Sequence, residues 1–258
     1  MTIKTYIPSA ALQPYVKEFH VIENHGTPLE NRVLPGTGIA LAFRFGGDVF
    51  DGVGAQQTIV PGASLAGLRQ SARLIHYRPY AGTLVAVLQA GMAPAFLREP
   101  LHEAKGLTLD LDNFFTPSEV ARVQDQLFEA DHHHARVAIV ERFLLAKLRP
   151  QAADPMVIHA VAAIHRAGGR LPIARLASDS YLSQDAFEKR FRKTVGISPK
   201  PFAEVVRLAA LVAAYHPRQP IQRLALEGGY FDQAHFNQAF KRFAGLAPRQ
   251  FFSQPRFW

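Results

Sequence analysis

The 258-residue chain contains no cysteine, one tryptophan and three methionines. The missing cysteine excludes disulfides, cysteine–zinc modules, iron–sulfur clusters and thiol nucleophiles. No apolar run approaches the roughly 18 residues that a membrane-spanning helix needs, so no membrane partner is expected. The first residues, MTIKTYIPSA, lack a basic segment followed by an apolar one, so no export signal is read and a cytoplasmic protein is expected. No G-x-S-x-G elbow surrounds Ser64, and no Lys-Ser/Thr follows the glycines at 46–47. Catalytic residues and cofactors are therefore assigned to none of the chain, and a hairpin turn is expected at Gly46-Gly47-Asp48.

One further scarcity is local. Asp and Glu number 15 in residues 1–154 but only 6 in residues 155–258, against 14 and 15 Lys/Arg. The first part carries a net −1 and the second +9, which together make the +8 of the whole chain. Hydrophobic residues make up 48% and charged residues 19%, a globular composition. A strongly basic segment attached to a neutral one suggests a module for an anionic polymer or surface.

The texture changes at the same place. GIALAFRF (38–45), TIVPGASLAGL (58–68) and the run 72–90 read as strands between Gly, Pro and Asp turns. Aromatic and basic residues on these strands (Phe43, Phe45, His76, Tyr77, Arg78) are candidates to line a pocket or to fill a core. From Pro117 onward the apolar spacing is helical, through Val120, Val123 and Leu127, then Val137, Val140, Phe143, Leu144 and Leu148. The expected fold is α+β. A β-rich, cupin-like domain occupies 1–115, a helical connector 116–152 and an all-helical domain 153–258. Residues 149–155 read as a linker, with Asp154 capping the next helix and Pro155 in its first position. Asp131 is read as the N-cap of a helix beginning near His132. The histidines at 132–134 would then lie exposed in its first turn, and no metal site is assigned.

The basic segment repeats itself. Ser183, Phe187, Phe191, Gly196, Pro199 and Phe202 recur as Asp232, Phe236, Phe240, Gly245, Pro248 and Phe251, each 49 residues later. Upstream, Ile173, Leu176 and Ala177 recur as Ile221, Leu224 and Ala225, with one extra residue in the second copy's turn. Each copy reads as helix–turn–helix. Ser183 and Asp232 cap the second helices, Phe pairs at i and i+4 face inward, and Gly196 and Gly245 end the helices. A helix of about 17 residues from Pro199 to Tyr215 joins the copies and spans about 25 Å.

In such a motif the second helix enters the major groove with its N-terminal residues toward the bases. That makes Gln184, Asp185, Glu188 and Lys189 in the first copy, and Gln233, Ala234, Asn237 and Gln238 in the second, the candidate base-reading positions. Arg192, Lys193, Lys200, Lys241, Arg242 and Arg249 are the candidate phosphate contacts.

These residues resemble those of the AraC/XylS-type bacterial transcription regulators. The stretch IQRLALEGGYFDQAHFNQAFKRFAGLAPRQFF (221–252) carries that pattern through Ile221, Ala225, Gly229, Tyr230, Asp232, Phe236, Phe240, Lys241, Gly245 and Pro248. The resemblance spans about 155–254. The Leu34-Pro35-Gly36 turn gives a looser likeness to the first domains of such proteins. It implies sequence-specific binding of duplex DNA, with a small-molecule effector or dimerisation acting through the first domain. RNA polymerase and a second copy of the chain are the further partners expected. The chain departs from the pattern at Gln238 and Lys189, where the family usually has Arg, and at Asp185 and Glu188, whose carboxylates repel phosphates. DNA-repair methyltransferases with this motif need a cysteine acceptor, which is missing here. A non-specific architectural protein and an enzyme with a DNA-binding tail stand as the alternative readings.

Overall fold

In a computed structural model the chain is described over residues 1–254. The strands are β1 (Thr2–Tyr6), β2 (Val16–Glu23), β3 (Leu29–Val33), β4 (Ala40–Gly46), β5 (Val49–Asp51), β6 (Thr58–Ile59), β7 (Ala63–Ala66), β8 (Arg73–Tyr77), β9 (Gly82–Leu88) and β10 (Thr108–Asp110). The helices are α1 (Pro117–Glu129), α2 (His133–Lys147), α3 (Pro155–Arg166), α4 (Ile173–Asp179), α5 (Gln184–Val195), α6 (Pro199–Ala214), α7 (Ile221–Glu227), α8 (Gln233–Ala244) and α9 (Pro248–Phe252). The α+β class expected from the sequence is the observed one.

The strands form two antiparallel sheets, in the orders β1-β2-β9-β4-β7-β10 and β3-β8-β5-β6. Among the described residues no pairing joins the two into a closed barrel. The turn at 46–48 also differs from expectation. β4 pairs with β7 and β9, whereas β5 pairs with β6 and β8, so Gly46-Gly47-Asp48 is a corner between sheets and not a hairpin. Gly47 has φ +50°, and a Cβ there would sit 2.6 Å from the Ala81 nitrogen, so the corner needs glycine.

The larger sheet divides its residues by parity. Phe19, Val21, Leu41, Phe43, Leu65, Leu84 and Ala86 are buried on one face. That face receives α1 and α2, with the Phe43 and Phe143 rings edge-to-face at 5.9 Å. The same apolar core runs on without a break through Val157 and Ile164 of α3 to Phe187, Phe191 and Val195 of α5 and Phe202 of α6. The N-terminal part and the first helix–turn–helix therefore share one core. The expected linker is tied to the N-terminal part at its start, since the Arg149 amide donates to the Ala95 carbonyl at 2.7 Å.

A second core lies around Phe236, Phe240, Phe243 and Phe251, with Leu224 and Leu208, and Leu34 of the N-terminal part packs against it. Truncation of Phe191, fully buried in the shared core, to alanine is expected to cost about 3–5 kcal/mol. Urea unfolding should show the N-terminal sheets and the first helix–turn–helix losing stability together.

Candidate nucleic-acid interface

The two helix–turn–helix units are built by local chemistry. In the first, the Ser183 hydroxyl accepts from the Ala186 amide at 3.3 Å and starts α5. In the second, the Asp232 carboxylate accepts from the His235 amide at 2.7 Å and starts α8. Each helix ends on a left-handed glycine, Gly196 at φ +103° and Gly245 at φ +76°. The Phe187–Phe191 and Phe236–Phe240 rings lie 5.9 and 5.5 Å apart on the inner faces.

The turns superpose in their hydrogen bonds. The Tyr181 and Leu182 amides donate to Ser178 and Ala177, as those of Gly229 and Tyr230 donate to Leu226 and Ala225. The left-handed turn residue is Tyr181 in one copy, at φ +54°, and Gly229 in the other, at φ +71°. The extra residue of the second copy is therefore Phe231, which is 92% exposed immediately before the α8 cap. In the first copy the exposed aromatic residue of the turn is Tyr181 itself, 97% exposed at the place that Gly229 takes in the second. The 48-to-49 shift in repeat spacing was the signal for Phe231, although the spacing says nothing of its exposure.

Among the candidate base-reading residues, Gln184, Asp185, Lys189, Ala234 and Gln238 are exposed. Glu188, Gln233 and Asn237 are half-buried. Arg192, Lys193, Lys200, Lys241, Arg242 and Arg249 are all exposed. The Gln184 amide nitrogen donates to the Glu188 carboxylate at 2.9 Å. This ties up the group that would face a base and leaves a negative charge beside it. Arg190, which the sequence reading passed over, reaches back to Asp154 with Nε to Oδ2 at 2.6 Å and Nη2 to Oδ1 at 3.0 Å. Asp154 also caps α3 through Met156 and Val157, so one carboxylate fastens α5 to α3. On α8, Gln238 and Lys241 make no such tie, and Arg242 approaches Glu204 only to 3.9 Å.

The far end of α8 is docked. Its last carbonyls, Phe243 and Ala244, accept from the Ala72 amide at 2.7 Å and from Arg32 Nη1 at 3.2 Å. A guanidinium at a helix C-terminus meets the negative end of the helix dipole. Leu34 and Pro35, next along the chain from Arg32, line a cleft with Ala209 and Val212 of α6 and with Phe243 and Phe252.

The histidine run behaves differently from expectation at its start. His132 and not Asp131 caps α2, its Nδ1 accepting from the Ala135 amide at 3.1 Å. His133 faces Glu23 at 3.4 Å, and burial lowers its basicity. Among the described residues no group of three or more His, Asp or Glu side chains is placed to hold a metal ion. No described helix is long and apolar enough to cross a membrane.

A second feature lies in the N-terminal part. Between the two sheets is a cavity of about 310 Å³. Of the strand residues considered from sequence as pocket lining, Tyr77 borders it. Phe43 packs on the opposite face against Phe143, and Phe45 lies under the Arg136 guanidinium at 4.2 Å.

Comparison with known proteins places these features. Residues 176–254 match the model of a helix-turn-helix domain, and residues 4–110 match a domain of unknown function, DUF6597. An uncharacterized HTH-type transcriptional regulator of Haemophilus influenzae is 35% identical over 80 residues, 31% of this chain and 27% of that protein. The probable transcriptional regulator LumQ of Photobacterium leiognathi is 30% identical over 83 residues, 32% of this chain and 34% of that protein. The match thus spans about a third or less of these relatives. A crystal structure of an apo point variant of ToxT from Vibrio cholerae shares the fold at 10% identity, with a TM-score of 0.50 over 90% of this chain and 95% of that one.

Replacing Asp232 by alanine removes the α8 cap and is expected to cost about 1 kcal/mol. Thermal unfolding should register that loss, and Asp232→Ser should recover most of it.

Proposed function

We propose that the helix-turn-helix domain matched over residues 176–254 is of the AraC/XylS type and that the chain is a sequence-specific DNA-binding regulator of transcription. Residues 153–258 bind duplex DNA. Residues 1–115 receive a small effector or pair two copies, and the helices of 116–152 join these parts. RNA polymerase is the further partner of such a regulator. No residue is given a catalytic role, and the protein works in the cytoplasm.

The observation that carries this reading is the docking of α8. Its C-terminal carbonyls are bonded to the N-terminal part, while its capped N-terminal end and its Gln238 and Lys241 side chains are exposed. A helix held by one end and free at the other suits insertion into a groove. The surplus of nine positive charges on residues 155–258 supplies the long-range attraction to phosphate. Asn237 and Gln238 suit adenine, whose N6 and N7 an amide meets bidentately. The first unit contributes less to base reading, because Gln184 is bound to Glu188 and Asp185 adds a second carboxylate.

Binding to the protein's own promoter against random duplex, titrated with salt, tests the reading. The promoter should bind at least about a thousandfold more tightly. Equal affinity for both would leave an architectural protein in its place. Asn237→Ala and Gln238→Ala should each lose ~1–3 kcal/mol of discrimination at one base position. Lys241→Ala should weaken binding to all sequences alike and reduce the salt slope by about 0.9. Competition binding against single-base operator variants separates the two behaviours.

A further inference from the structure

The cavity between the sheets is made by small residues on the second face of the larger sheet. Ala40 and Ala42 of β4 and Ser64 and Ala66 of β7 project into it, where a packed sandwich would carry Val, Ile or Leu. Val85 and Val87 of β9 and Ile75 of β8 complete an apolar body. The polar part of the wall is uneven in charge. Arg69 and Arg73 both line it and share one carboxylate, Asp51 Oδ2, at 3.4 and 3.3 Å. Both also donate to the Thr108 hydroxyl, at 3.2 and 3.1 Å. Two guanidiniums on one carboxylate leave a net positive charge at the wall. The Arg69 Nε is buried with no hydrogen-bond partner among the described residues. Thr83, 8% exposed, lines the same cavity with its Oγ1 also unpartnered. Tyr77, 5% exposed, lines it too, and burial pushes its phenol up to about 12, so it stays a neutral donor.

A buried donor without an acceptor costs free energy that a ligand oxygen recovers. A partly neutralised arginine pair in an apolar wall favours an anion of single charge, bound through planar oxygens. We propose that this cavity binds a small organic acid, with its carboxylate against Arg69 and Arg73 and a compact apolar body against Ala40, Ala42, Ala66, Val85 and Val87. Ser64, Thr83 and Tyr77 offer hydroxyls to any further oxygen it carries. The volume corresponds to roughly ten waters of liquid, which sets the scale of the ligand. A polyanion is disfavoured, because Asp51 already offsets one of the two guanidinium charges. The inference deepens the proposal that this half receives an effector and rests on it. Leu34 and Pro35 border both this cavity and the cleft against α6 and Phe243, so the ligand would sit one chain segment from the docked end of α8.

Calorimetric titration of the full chain tests the proposal with cyclohexanecarboxylate, cyclohexylacetate and 3-cyclohexylpropionate, each beside its neutral amide, and with inorganic phosphate. At least one acid should bind saturably, and at least about tenfold more tightly than its amide, which is 1.4 kcal/mol. Arg69→Gln should weaken the acid more than the amide and so narrow the difference between them, with Arg73 keeping part of the preference. Ala42→Leu should abolish binding of both by filling the cavity, with circular dichroism confirming the fold. Acid and amide binding alike in the native protein, phosphate displacing the acid as well as a second acid does, or no saturable binding by any of the acids would overturn it. Promoter binding measured on the same preparations keeps the two proposals apart. DNA recognition without acid binding removes this one alone, and acid binding without DNA recognition removes the regulator reading alone.

Discussion

The alternation of side chains across a β-sheet governs this molecule. Successive residues of a strand face opposite ways. In β4, Leu41 and Phe43 enter the core beneath α1 and α2, while Ala40 and Ala42, alternating with them, face the other sheet. β7 and β9 repeat the arrangement with Leu65 against Ser64 and Ala66, and Leu84 against Thr83 and Val85. A one-residue slip of register would send the large residues into the cavity and the small ones under the helices. The same pleat thus builds the core that supports the helical part and the space that separates the two sheets.

That core does not stop at the end of the strands. Phe187 and Phe191 of α5 belong to it, and Arg190 binds the carboxylate that caps α3. The first helix–turn–helix is therefore continuous with the N-terminal part. The second has its own core and meets the N-terminal part through a few directed contacts at Arg32, Leu34 and Ala72. A unit that, among the described residues, meets its neighbour through such contacts and the Leu34-Pro35 segment reorients at less cost than one sharing a core, because less buried apolar surface must be exposed. Leu34 and Pro35 are walls both of the cavity and of the cleft against this second unit.

Legibility followed the range of the interactions. Ser183, Asp232 and Asp154 as caps, and Gly196 and Gly245 as helix ends, could be read because each acts within one turn of its own helix. The repeat was readable because its Phe, Gly and Pro spacings are those of packing inside one short unit. The cap at Asp131 was misread because a neighbouring ring, that of His132, reaches the same amide end. The turn at 46–48 was misread as a hairpin because local turn chemistry does not say which sheet the next strand joins. The tie between Gln184 and Glu188 lies at i, i+4 and was in principle visible, but both were counted only as free groove-facing positions.

The sequence alone determined the two kinds of structure, their order, the duplicated unit with its caps, and the concentration of positive charge on residues 155–258. All of these depend on residue type and short spacing. Only the tertiary structure decided that α8 is docked by its C-terminal carbonyls and that the first unit shares the core of the sheets. It alone brought Arg69, Arg73, Thr83 and Asp51 to one wall. Those residues come from a loop and three strands, β8, β9 and β5, and their meeting is set by strand order and sheet packing. No periodicity within a single segment records either of these.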